Sequence, residues 1–201
     1  MTDYWSLTSA ALHGQPWRLW TGHIVHYGPS HFFPDGIAFV PPMLLLDPKQ
    51  RWRTIVWGLV IAPLVSIAIV AFVPGIEYRG SSALAITLWI LAPLLYLNEE
   101  KVPAAQLRYT DRRVPRTPAI ILLTFCLVKL VLETTTSFRL GFTDVPPLPL
   151  AHWLGAIAGA MIFVFLRGKI IHTTLREFGE SRHAHIFPAS TSLMNLTSSR
   201  K

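Results

Sequence analysis

Cysteine is nearly absent. Cys126 is the only one in 201 residues, which excludes a disulfide framework and a cysteine-built metal cluster. Charge is scarce as well: Asp, Glu, Lys and Arg make up 14% of the chain, against about a quarter in an average soluble domain. Negative charge is the scarcer sign, with 11 acidic residues against 18 basic ones. The segment Met1 to Gln15 has neither the basic n-region nor the continuous apolar h-region of a signal peptide, and no internal repeat is found. What replaces charge is apolar surface. Half the residues, 51%, are hydrophobic, and this composition places the chain in a membrane.

The apolar residues fall in runs of spanning length. Ile55 to Ile76 and Val145 to Leu166 contain no Asp, Glu, Lys or Arg, and each exceeds the roughly 20 residues that cross about 30 Å of hydrocarbon. Gly80 to Leu97 is also uncharged and just long enough, and Pro118 to Leu132 is interrupted only by Lys129. A fifth candidate, Phe32 to Leu46, is short and carries Asp35 and the pair Pro41-Pro42. The expected fold is an all-α polytopic transmembrane helix bundle of about five spans.

The net charge of +7 could signal nucleic acid, but its distribution argues for topology instead. Three basic residues lie in Asp47 to Thr54, five in Asn98 to Thr117 and six after Leu166. The positive-inside rule assigns those segments to the cytoplasm. Facing outward are the N-terminus, the Val73 to Arg79 turn and the Thr134 to Asp144 loop, which hold only Arg18, Arg79 and Arg139. No nucleic-acid partner is expected; the bilayer is. Trp5, Trp17 and Trp20 suit an interfacial segment. The domain organisation read from these features is an interfacial N-terminal segment and outer loop over 1–30, a membrane domain over 31–170 and a cytoplasmic tail over 171–201. Within that tail the polar, Ser/Thr-rich stretch Ser181 to Lys201 reads as mobile.

Three pieces carry candidate chemistry, each at the outer end of an apolar segment. Ser82 opens an uncharged run after Gly80, where a serine is commonly a helix cap but can also meet water and a substrate carbonyl. His152 is an ionisable side chain at the start of a membrane segment, a placement that normally faces a bundle interior or a wet cavity. It is followed by Gly155 and Gly159, a small-xxx-small face that admits a neighbouring helix. If that neighbour is the Ser82 helix, the imidazole can act as general base toward the hydroxyl. His31 and Asp35, four apart, share a face if a helix begins near His31 and could present donors to an oxyanion. His23, His26 and His31 match zinc in number only, since Gly28 and Pro29 break the register and no HExxH spacing follows. Lys129 and Glu133, also four apart, read as a mutually neutralising pair near the outer boundary.

The stretch WRLWTGHIVHYGPSH resembles the outer loop and second-helix start of rhomboid intramembrane serine proteases. GSSA resembles their GxSG motif, and AHWLGAIAGA their histidine-bearing last helix. The motifs stand in family order over roughly Gln15 to Arg167, and the small size, with Lys129 and Glu133 before the last helix, is most similar to the rhombosortase branch. The resemblance implies Ser82 as nucleophile and His152 as base, with His31 supporting the oxyanion, Asp35 standing where the family usually has asparagine, and Gly80 as the first glycine of the motif. It further implies a membrane-anchored protein substrate, cut in or near its transmembrane segment, and for this branch a C-terminal sorting tail. It implies neither metal nor organic cofactor, and a bacterial inner membrane location with a periplasmic N-terminus and a cytoplasmic C-terminus. Ala83 departs from the motif's second glycine, and no counterpart of the family's first core helix precedes Trp17, so either that helix is truly missing or the true start codon lies upstream. Two other classes share these residues: a catalytically inactive rhomboid-like protein that binds transmembrane clients, and a small transporter or haem-binding membrane protein using His26, His31 and His152.

Overall fold

The computed structural model describes residues 4–98, 115–136 and 148–186, with side chains in the last range as far as 167. Most of the basic Asn98 to Thr117 connection, the Thr134 to Asp144 loop beyond Thr136 and the tail beyond Ile186 therefore lie outside the described residues. Residues 1–163 form one compact unit and residues 164–201 a second. The described residues hold no β-strand, and seven α-helices run in chain order: α1 (Arg18–Thr21), α2 (Pro29–Ala38), α3 (Val40–Leu44), α4 (Pro48–Phe72), α5 (Ser82–Asn98), α6 (Thr117–Thr136) and α7 (Pro149–Ile186).

Among the described residues three helices are long and apolar enough to cross a membrane: α4, α6 and the first part of α7, Pro149–Arg167. The described residues are thus those of a helical membrane protein. The expected five spans are not all present at that length. Phe32 to Leu46 is divided between α2 and the five-residue α3, because Pro41 and Pro42 have no N–H to continue the ladder across Phe39. The 17-residue α5 is about 26 Å long at 1.5 Å per residue. It is buried all round, with Ala83, Ala85, Ile86, Thr87, Leu88, Ile90, Leu91 and Ala92 inside, so it is the central helix of the first unit. On α4 and α6, by contrast, Leu59, Leu64, Ile120 and Ile121 are exposed, the face a bilayer would cover.

Helix α4 begins where its sequence signals it. Asp47 Oδ1 accepts the N–H groups of Lys49 and Gln50 at 2.7 and 2.9 Å, and Gln50 Oε1 accepts the Asp47 N–H at 3.2 Å. This capping box satisfies backbone donors that the helix itself cannot. At the other end of the chain, α7 continues to Ile186, so the first six residues of the Ser181 to Lys201 stretch are helical rather than irregular.

The N-terminal segment is fastened to the helices rather than lying apart from them. Leu7 pairs with Tyr78 through N–H to O contacts of 3.0 and 2.9 Å, and Leu7, Ala11 and Leu19 share a core with Val65, Ile69 and Val70 of α4. Buried Arg18 donates to Ser6 O at 2.7 Å. His23 donates from Nε2 to Ser66 Oγ at 2.9 Å and to Ala62 O at 3.2 Å, while Ser66 Oγ donates to Leu19 O at 2.7 Å.

Burial pushes the His23 pKa down to about 4, against carbonyls of Ala62 and Gly80 that pull it up. The folded chain therefore keeps this ring neutral where an unfolded chain would protonate it near 6.5. The associated stability is fully present above about pH 6.5 and is lost as pH falls toward 4, by about 3 kcal/mol at 1.36 kcal/mol per unit. Thermal melting of the detergent-solubilised protein should fall across that window, and His23→Gln should flatten the fall. Equal slopes in the two proteins would contradict the assignment.

Candidate functional site

The turn into α5 is built on Gly80. Its φ of +129° is one that L side chains rarely adopt, and a Cβ there would lie 2.6 Å from His31 Cε1 and 3.1 Å from Asp35 Oδ2. Glycine thus supplies both the backbone conformation and the space, so α2 closes directly on the turn. The Gly80 N–H donates to Gly22 O at 2.9 Å, which anchors the turn to the loop after α1.

Asp35, buried on α2, is the acceptor at the centre of this corner. Its Oδ2 accepts the Ser81 N–H at 2.8 Å, contacts His26 Nε2 at 3.1 Å and Ser81 Oγ at 3.4 Å, and lies 3.9 Å from His31 Nε2. His26 Nδ1 lies 2.8 Å from Ile24 O, an acceptor, so Nδ1 is the donor in that contact. His31 is half-buried, and its Nδ1 has no hydrogen-bond partner among the described residues. Burial holds its pKa below the ordinary value; Asp35 opposes this, and the nearby His26 and His152 reinforce it.

The opposite wall is formed by α6 and α7. His152 is 5% exposed and its Nδ1 meets Glu133 Oε2 at 2.7 Å, while Glu133 Oε1 accepts from Lys129 Nζ at 2.5 Å. One turn along α7, a Cβ on Gly155 would fall 2.1 Å from Ala83 O, and one on Gly159 would fall 2.5 Å from Thr87 O. The two helices are therefore in backbone contact just beyond Ser82. Ala83 is fully buried, and it is its backbone, not its methyl, that faces glycine at 155. No hydrogen bond joins Ser82 to His152 among the described residues. Tyr78 lies beside Ser82 with its hydroxyl buried and unpartnered among those residues; burial pushes its pKa up, opposed by the Ser82 side chain.

All the residues singled out from sequence therefore gather at one end of the bundle: Ser82 at the start of α5, His152 in the first turn of α7, and His31, Asp35 and Gly80 between them and the outer loop. Sequence reasoning missed three neighbours. The sequence alone pairs Glu133 with Lys129, offers His26 only as a metal or haem ligand, and does not single out Tyr78. An ionisable residue near the end of an apolar run was the available signal for Glu133. Chemically, the start of α5 carries a hydroxyl on Ser82 and the first turn of α7 an imidazole on His152, the residue types a nucleophilic acyl transfer uses. A scan against protein-family models and searches of curated proteins and of solved structures return no match to this chain.

Proposed function

We propose that the chain is a rhomboid-type intramembrane serine endopeptidase of the bacterial inner membrane, of the rhombosortase kind. The observation that carries this reading is the backbone contact of Gly155 with Ala83, which sets the helix ends bearing Ser82 and His152 against each other. In the proposed reaction Ser82 Oγ attacks a peptide carbonyl of a membrane-anchored client as His152 Nε2 takes its proton. The same nitrogen returns that proton to the leaving amine, and water repeats the sequence on the acyl-enzyme. His31, the Ser82 N–H and the positive end of α5 face the charge developing on the carbonyl oxygen. The absence of a hydrogen bond between Ser82 and His152 favours a second reading, an inactive rhomboid-like protein that binds clients without cutting them. Hydrogen bonds of this kind often tighten only once substrate is bound.

Co-reconstitution in lipid vesicles with a single-span client carrying a Gly-Gly sorting tail separates the two. Cleavage that Ser82→Ala removes is the expected result. Client capture without cleavage would favour the inactive binder. The proposed orientation has its own check: a reporter fused after Lys201 should read as cytoplasmic and one in the 138–144 loop as periplasmic. Both ends of the chain on the same side would contradict it.

A further inference from the structure

We infer that Glu133 is a positioning residue that locks His152 into the tautomer with its proton on Nδ1, and that Lys129 fixes which oxygen of Glu133 faces the ring. This inference rests on the protease reading above and deepens it, turning a serine–histidine pair into a Ser82, His152, Glu133 set drawn from three helices.

The geometry divides the carboxylate between two partners. A neutralising pair between Lys129 and Glu133 needs only one carboxylate oxygen, and Oε1 serves that contact at 2.5 Å. The other oxygen, Oε2, lies 2.7 Å from His152 Nδ1, and the two side chains are 3% and 7% exposed. An ionised carboxylate can only accept, so Nδ1 must carry the proton. In a neutral imidazole that leaves Nε2 as the lone-pair nitrogen, the state a general base toward Ser82 requires. The carboxylate also stabilises the imidazolium that forms when the proton moves. The positions suit a fixed device. Glu133 lies in the last turn of α6, and Lys129 lies one turn earlier on the same face. Trp153, next to His152, donates to Thr134 Oγ1 at 2.9 Å, which ties the first turn of α7 to the last turn of α6.

Glu133→Gln tests this without changing side-chain size. Lys129 donates only, so it draws the amide oxygen of Gln toward itself and leaves the amide NH₂ facing Nδ1. That arrangement forces the proton onto Nε2 and removes the base. The expected result is a kcat lower by roughly a hundredfold to ten-thousandfold with KM nearly unchanged. Adding Lys129→Met frees the amide to rotate and should recover part of the loss, a rescue that a merely structural Glu133 would not show. Nitrogen-15 spectra of histidine-labelled protein read the tautomer directly: Nδ1–H in the wild type, Nε2–H in Glu133→Gln, and a partial return in the double variant. An unchanged tautomer in Glu133→Gln, or an unchanged kcat in a protein with Ser82-dependent activity, would overturn the inference. Loss of the protease reading is a separate result, visible as wild-type turnover that survives Ser82→Ala, and the tautomer measurement still decides the role of Glu133 in that case.

Discussion

Ser82→Ala and His152→Ala are each expected to reduce client cleavage to background, a loss on the order of a thousandfold or more, and the double variant is expected to be no worse than either single one. Groups that act as one unit are non-additive, because removing either already removes the proton transfer the other depends on. Both substitutions shorten side chains at the mouth of the bundle, where Ser82 is half-buried. Folding and membrane insertion should therefore persist. His152→Ala carries an additional cost, since it strips Glu133 of one partner in a buried site, so its thermal stability should fall while that of Ser82→Ala does not. Initial rates in vesicles, measured beside melting curves, separate the two effects. Near-normal turnover in Ser82→Ala would remove the protease assignment.

Gly155→Ala is the second large effect. The added methyl would sit 2.1 Å from Ala83 O and 3.0 Å from Ala83 C, both backbone atoms that no rotamer change can move. Helices α5 and α7 must separate, by about an ångström, to restore an ordinary contact. A misplacement of that size at a reacting group costs about a hundredfold in rate, and disruption of a tight contact costs about 1 to 3 kcal/mol in stability. Activity should fall although neither Ser82 nor His152 is touched. Gly36 is the control, because a Cβ there meets nothing within 4 Å and only helix propensity is altered. Equal activity in Gly155→Ala and the wild type would show that the close approach of the two helices does not set the distance between Ser82 and His152.

Much of this arrangement is legible in the amino-acid order, and the parts that are not share a physical reason. The apolar runs that begin at Ile55, Pro118 and Val145 need only local hydrophobicity to be seen, and α4, α6 and the start of α7 overlap them. The small-residue face of Gly155 and Gly159 is written in one helix's own periodicity, and its partner is α5. The division of Phe32 to Leu46 follows from Pro41 and Pro42, whose missing N–H groups outweigh the apolar composition around them. The contact of Glu133 with His152 was not readable: it depends on how far α6 and α7 are rotated about their axes, which neither helix encodes alone. The burial of Arg18 and Leu7 was hidden for a related reason. The segment before α1 has no period, and its attachment to Tyr78 and α4 arises from long-range pairing.

The most direct measurement is the position of a covalent adduct. Ser81 and Ser82 are adjacent, and Ser81 Oγ is 3.4 Å from both His26 Nε2 and Asp35 Oδ2, so labelling alone does not say which serine is activated. Reaction of the vesicle-embedded protein with a fluorophosphonate, followed by peptide mapping with fragmentation between residues 81 and 82, resolves them. A single adduct on Ser82, lost in His152→Ala, is the expected result; an adduct on Ser81, or none on either serine in folded protein, would contradict the assignment of Ser82 as the nucleophile.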